Sequence, residues 1–425
     1  MSRSTLPPPE IEAARPSLLH TLSRFRMFES LQIRDFRWLW LASMGSFMAM
    51  NMQMITRGWL VLRLADDSPL ALAFVMMTFS VPMTVVSPLA GALADRIPRK
   101  RLVMLSQAGN GLFTLALAAL DLSGIVTFWM VLVIGVMNGT MAAFQMPSRQ
   151  AMIADVVPET KLMNAISLNN SGMNISRIVG PALAGVLIIF IDTAGVFFIV
   201  GGVYMVSVAA IMRVEGGQIV VDRPRTSVFS DIGEGLRYVA VDPLRRGLII
   251  MAIIPELFGF SFFVLLPAWA REALDVQSDG LGMLLTFMGV GALAGTLILA
   301  SLNNLSRRGL VVLVSCVLWG VGLTFSSQVT SYILAVPLLL FVGLASALFM
   351  SLSVTLIQLH SAPEMRGRMM SIRMMTLGFM PVTSVPFGAV AERIGTPDAL
   401  LISGALLVIA TAVFALTNPG FRKIA

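Results

Sequence analysis

The chain has 425 residues, 56% of them hydrophobic and 12% charged, with a formal net charge of +7 and a mean hydropathy of +0.84. Soluble domains carry about twice that share of charge, and so apolar a chain would expose large sticky patches to water, so the composition excludes an ordinary soluble domain and points to the bilayer. The single cysteine, Cys316, excludes an internal disulfide, and with His20 far from His360 and no GxxxxGK loop, nothing in the sequence asks for a metal, a cofactor or ATP.

Residues 1–36 carry Pro7, Pro8, Pro9 and several arginines and lack a continuous apolar core, so they do not read as a signal peptide. Leu18, Leu19, Leu22 and Phe25 recur at helical spacing among basic residues, the pattern of a cytoplasmic tail resting on lipid. A membrane-spanning helix needs about 20 apolar residues. Twelve stretches follow: 37–62, 69–94, 102–120, 126–146, 165–190, 193–213, 247–270, 280–302, 309–327, 332–354, 369–391 and 397–417. The first and fifth include polar residues.

Lysine and arginine concentrate in the N-terminal tail and the even-numbered loops: Arg96 to Arg101, Arg149 and Lys161, Arg213 to Arg246, Arg307 and Arg308, and Arg366 to Arg373. The odd-numbered loops hold Arg63, Arg271 and Arg393 among acids such as Asp66, Asp67, Asp121, Asp192, Asp275 and Asp279. Cations favour the cytoplasmic side, so both termini are expected there. The positive charge is therefore a topology signal, with attraction to anionic headgroups secondary, and not a nucleic-acid footprint.

Residues 214–246 form the one long internal loop. Its second part places Phe229, Ile232, Leu236 and Val239 on one helical face, an amphipathic surface helix. The loop separates a bundle at 37–213 from a second at 247–417, with a tail at 418–425. The bundles echo each other: Pro158 and Glu159 match Pro363 and Glu364 at a shift of 205, as Pro181 matches Pro386, and Arg99 and Lys100 follow the second span as Arg307 and Arg308 follow the eighth. The expected fold is an all-α membrane protein of twelve transmembrane helices in two pseudo-symmetric six-helix bundles. Such parallel repeats suit a substrate site between the halves with access alternating by rocking.

The stretch GALADRIPRKR, 91–101, resembles the signature of the major facilitator superfamily between its second and third helices. Gly91, Leu93, Asp95, Arg96, Arg99 and Lys100 match, and Pro98 stands where the pattern has glycine. Proline cannot take positive φ, so the turn there must differ. PSRQAMIADVVPETKLMNAISLNNSGMNISRIVGPALAG at 147–185, RDFRWLWLA at 34–42 and GEGLRYVAVDPLRR at 233–246 resemble the branch that contains enterobactin exporters and macrolide efflux proteins. The resemblance implies that the 91–101 loop controls the outward-facing state. Gly91 permits close helix contact, and Asp95 with Arg96, Arg99 and Lys100 can latch the halves in one conformation; the simpler reading is that the cations anchor a cytoplasmic loop. Gly180, Pro181 and Gly185 in VGPALAG resemble the Gly-Pro motif of the superfamily's antiporters, although the same residues serve a generic kink.

Charged groups within spans are costly and usually functional. Glu256, after Pro255 in the seventh stretch, is the acid placed at mid-membrane depth. It is the candidate proton carrier; the alternative is a cavity-lining or structurally paired glutamate. By the resemblance, helices 1, 4, 7 and 10 line the cavity, so Arg57 can face Glu256 or contact an anionic substrate. Arg177 is expected to be structural beside the Gly-Pro motif. Asn51, Gln53, Asn138, Phe144, Gln145 and Phe260 are candidate lining residues in methionine-rich surroundings suited to adaptable binding, although most methionines at such positions simply pack.

No HExxH, GxSxG or acid pair at one depth suggests an enzyme. The expectation is a monomeric secondary transporter, a proton-coupled exporter of small amphipathic molecules such as drugs, macrolides or siderophores, partnered by lipid and protons and by no nucleic acid. The alternatives are an importer or facilitator of a metabolite and a non-transporting receptor or scaffold.

Overall fold

The computed structural model describes residues 26–94, 97–216, 228–301, 307–362, 365–376 and 379–424. The tail positions Leu18, Leu19, Leu22 and Phe25, and the loop residues Asp95 and Arg96, lie outside them. Among the described residues the chain forms helices and no strands. The first half contains α1 (Arg34–Leu64), α2 (Pro69–Ala94), α3 (Arg99–Leu122), α4 (Phe128–Val156) and α5 (Glu159–Met212). Next comes α6 (Val228–Val241). The second half contains α7 (Pro243–Phe258), α8 (Ser261–Leu274), α9 (Ser278–Ser301), α10 (Arg308–Ser327), α11 (Tyr332–Leu359), α12 (Arg366–Thr376), α13 (Met380–Ile394) and α14 (Thr396–Thr417).

Nine stretches among the described residues are long and apolar enough to cross a membrane. One runs over both the fifth and sixth sequence stretches, because α5 continues through them with a sharp kink at Asp192 (φ 56°, ψ 179°). An L-residue rarely adopts that backbone. Here it is held by neighbours: Arg63 donates to both Asp192 carboxyl oxygens at 3.0 and 3.1 Å, and the Thr193 N–H donates to Asp192 Oδ1 at 2.6 Å. The seventh stretch is likewise not one helix. It breaks at Gly259–Phe260 between α7 and α8. The break frees the Phe258 carbonyl, which accepts from Ser261 Oγ at 2.9 Å and from Ser403 Oγ of α14.

The helices meet in two sets of ends. At the first, Arg63 ties α1 to Asp121 of α3 and to Asp192, and Gln328 reaches Asp398 at 3.5 Å. The links there are short, 65–68, 123–127, 275–277, 328–331 and residue 395, so this is the short-loop end. The left-handed backbone at Asp66, Asp67 and Asp275 falls here too, a conformation aspartate tolerates better than most residues. The opposite, long-loop end gathers Arg99, Lys100, Asp155 and Val214.

Small residues set the closest helix crossings. A Cβ on Gly139 of α4 would collide with the Phe79 carbonyl of α2, and one on Gly343 of α11 would collide with the Met288 carbonyl of α9. The two glycines occupy matching places in the two halves. Helix α6 docks through buried Val239 and through Tyr238, whose hydroxyl accepts from the Ala362 N–H at 3.1 Å, while Leu236 stays half exposed. The face drawn from the sequence is thus divided. Val239 turns to the protein and Leu236 away from it, and the side chains of Phe229 and Ile232 lie outside the described positions.

Candidate functional site

In the first half α1, α3 and α4 share one buried polar network. Arg57 Nη2 donates to Asn138 Oδ1 at 2.8 Å. Gln53 Nε2 donates to Thr114 Oγ1 at 2.8 Å and reaches Asn138 Oδ1 at 3.4 Å. Asn138 Nδ2 donates to Asn110 Oδ1 at 2.9 Å, and Asn110 Nδ2 reaches Gln145 Oε1 at 3.5 Å. All of these side chains are buried. Three of the cavity candidates, Gln53, Asn138 and Gln145, therefore belong to one network. Asn51 does not join it. Its amide donates to its own helix at Phe47 O, 2.7 Å, and its Cβ packs where Gly180 leaves room. Phe144 is half buried.

The second half holds a buried ion pair. Arg373 Nη1 of α12 lies 3.1 Å from Glu256 Oε1 of α7, with side chains 5% and 1% exposed, and it also donates to Thr376 Oγ1 at 2.6 Å. The other carboxyl oxygen of Glu256 and the Nε of Arg373 are buried without a hydrogen-bond partner among the described residues. Arg57 is thus not the partner of Glu256, because each is engaged within its own half. Phe260, at the α7–α8 break, belongs to an aromatic cluster. It stacks on Phe263 with centroids 5.5 Å apart and meets Trp319 edge-on at 5.4 Å.

The Gly-Pro segment of α5 is a close-packing site on two sides. A Cβ on Gly180 would come within 2.8 Å of Asn51 Cβ in α1, and one on Gly185 would collide with the Ser278 carbonyl at the start of α9. Arg177 lies one turn before Pro181 on an exposed part of α5.

At the long-loop end Arg99 Nη1 sits 2.5 Å from Asp155 Oδ1, joining α3 to α4, and Lys100 Nζ donates to the carbonyls of Met212 (3.0 Å) and Val214 (2.5 Å). A cation at a helix C-terminus satisfies carbonyls that have no helical partner. Gly91 lies within α2, three residues before its end at Ala94. Asp95 and Arg96 lie outside the described residues, so the latch constellation is placed only at Arg99 and Lys100.

The halves touch at the short-loop end. Asp67 pairs with Arg271 at 2.8 Å, and Glu392 of α13 accepts from Ser68 Oγ at 2.9 Å and from the Leu70 N–H at 3.4 Å, so the second half caps α2 of the first. These groups border a cleft of about 550 Å³ with Glu272 and Asp275. Removing that cap by Glu392→Ala will raise severalfold the population open at this end. The check is a distance measurement between spin labels at Leu122 and Ile333, both well exposed. An unchanged distance distribution would show that the cap holds nothing shut.

Two buried cations escape a reading by hydropathy. Arg149 and Arg373, taken from the sequence as cytoplasmic loop residues, are 4% exposed and lie inside α4 and α12. Arg149 lies 3.9 Å over the Phe47 ring. The unmet charge of Glu256 was the one sequence signal that could have pointed to a buried cation such as Arg373.

A family model described as transmembrane secretion effector matches residues 26–420. The staphyloferrin A transporter of Staphylococcus aureus is 24% identical over 344 residues, 80% of this chain and 85% of that protein. Macrolide efflux protein A of Streptococcus pyogenes is 24% identical over 370 residues, 84% and 89% of the two chains. In fold, the chain is similar to the crystal structure of a bacterial homolog to the human lysosomal transporter Spinster in an inward-facing and unoccupied conformation. The TM-score is 0.72 at 13% identity, with 92% of this chain and 99% of that one covered.

Proposed function

The chain belongs to the transmembrane secretion effectors of the major facilitator superfamily, as a multi-pass transporter of the cell membrane and not an enzyme, and from that premise we propose that it exports small amphipathic organic molecules in exchange for protons carried by Glu256. The observation that carries this reading is the buried Glu256–Arg373 pair, with one carboxyl oxygen that has no hydrogen-bond partner among the described residues. Protonation cancels the charge that holds Arg373. The guanidinium then seeks another partner and α12 moves relative to α7, a bistable element of the kind that alternating access requires. The printed names of the relatives, a siderophore transporter and a macrolide efflux protein, support a substrate of that size and character.

In this reading the two arms of α5 count as two spans, α7 with α8 as one, and α12 with α13 as one. The twelve spans then leave both termini in the cytoplasm, where the even-numbered loops carry the cations. The short-loop end becomes the outer face, and the contacts of Asp67, Arg271 and Glu392 hold it shut, an inward-facing arrangement. The Gly91–Lys100 loop, with Asp95 as its acid, acts as the latch of the opposite state. The segment Gly180, Pro181 and Gly185 lets α5 pivot closely against α9.

The test is dye efflux from cells and inverted vesicles, with and without a pH gradient, comparing wild type with Glu256→Gln. Gradient-dependent efflux that disappears in the variant is the expected result. Full gradient-driven efflux in the variant would remove Glu256 from the coupling step, and gradient-driven uptake by cells would turn the reading to an importer.

A further inference from the structure

The second half supplies a counter-charge for its buried cation and the first half does not. Arg373 has Glu256, and at the bundle ends Arg99 has Asp155 and Asp121 has Arg63. Arg57 and Arg149 are 6% and 4% exposed, yet among the described residues neither is paired with a carboxylate. Their partners are neutral. Arg57 bonds the Asn138 amide oxygen, while Arg149 lies over Phe47 and reaches Met146 Sδ at 3.5 Å. Burying a cation costs several kcal/mol even after relaxation, and amide oxygens and a ring face offset only part of it.

Unpartnered polar groups stand at both places. Arg57 Nε is buried without an acceptor. Asn110 bonds Gln145 across α3 and α4, and Gln107 and Ser148 each lie three residues from that pair, toward the long-loop end of their helices. The Gln107 amide, at both its atoms, and the Ser148 hydroxyl are also buried without partners. Tyr204, on the second arm of α5, is buried and packs against α3, where a Cβ on Gly111 would come within 3.0 Å of its Cβ. The result is a column of buried polar groups, with Arg57 bonded into the amides of Asn138, Asn110 and Gln145 and Arg149 four residues on from Gln145 along α4, and with neither cation paired with a carboxylate among the described residues.

We propose that this column is an anion-binding site, and that the missing charge is brought by a carboxylate or phenolate group of the substrate. The proposal rests on the transporter reading above and adds the substrate's charge. Met146, against Arg149, is an adaptable side chain that suits varied apolar skeletons, while the guanidiniums select the sign of the charged group. The site also separates roles between the halves: substrate charge is met in the first half and the proton in the second.

The test uses purified full-length protein in detergent and two dyes that share a xanthene skeleton, anionic fluorescein and cationic rhodamine 123, with binding read by fluorescence anisotropy. Wild type is expected to bind fluorescein in a salt-sensitive manner and to reject rhodamine 123. Arg57→Gln and Arg149→Gln should each weaken fluorescein binding about tenfold or more. Because a buried arginine variant can fail to fold, Asn138→Asp provides the independent case. It places a carboxylate where Arg57 already bonds, supplies the charge internally, and should abolish fluorescein binding while leaving a monodisperse protein. Equal binding of both dyes, or fluorescein binding unchanged in Asn138→Asp and both arginine variants, overturns the proposal. So does a wild type that fails to bind fluorescein. Counterflow in proteoliposomes tests the transporter reading separately. Rhodamine 123 counterflow without fluorescein binding sinks the anion site and leaves the transporter, whereas fluorescein binding with no counterflow of either dye does the reverse.

Discussion

Arg373→Leu will lower stability by about 3–5 kcal/mol, and adding Glu256→Leu to it will restore most of the loss. The single change strands the Glu256 carboxylate in a place where its side chain is 1% exposed, and removing one partner of a buried pair costs about that much. The double change removes both charges and leaves apolar side chains among apolar neighbours, which is often nearly neutral. Thermal unfolding of the detergent-purified protein, followed by tryptophan fluorescence, reads the difference, and the interaction energy follows from the cycle of four proteins. If the single and double variants melt together, the pair is not a coupled unit. The double variant should also be inert in gradient-driven efflux. A stable but inactive protein separates the transport role of the pair from its contribution to folding.

Gly139→Val will prevent α2 and α4 from meeting, with a loss of about 3 kcal/mol or more. Its Cβ would collide with a backbone carbonyl, Phe79 O, and backbone cannot swing away as a flexible side chain can. Gly343→Val repeats the collision against Met288 O in the second half, and the two variants should fail to similar degrees. The yield of monodisperse protein on size exclusion measures this. A well-behaved Gly139→Val protein would mean that α2 and α4 tolerate a wider separation than their packing indicates.

Much of the architecture could be read from hydropathy because lipid demands long apolar runs and leaves charge to the ends. The same rule hid the burial of two cations. Arg149 lies past the fourth stretch, which ends at 146, and Arg373 lies near the start of the eleventh, which begins at 369, so both count with the cations of the neighbouring loops. The helices instead continue, α4 to Val156 and α12 from Arg366, and carry the cations inside. Gln53, Asn138 and Gln145 were legible as polar side chains in apolar helices and read as cavity lining, but their bonding to one another was not legible, although buried amides need partners. The partners of Glu256 and Arg57 were not legible either, because periodicity fixes a residue's face on its own helix but not the helix that face meets. The break at Asp192 falls where the sequence already parts the fifth stretch from the sixth, between 190 and 193. What was not legible is the backbone it adopts, because a single residue in an unusual conformation leaves no pattern in hydropathy.

The short-loop end carries a practical consequence for anything that approaches the protein there. Its links at 65–68, 275–277 and residues 192 and 395 are taut, and several turn through aspartates in backbone conformations that most side chains resist. A protease needs a run of pliable chain to thread its cleft, and an antibody needs a raised epitope. That face offers neither at these links, leaving 123–127 and 328–331 as the places where a peptide tag can be grafted without unseating a helix.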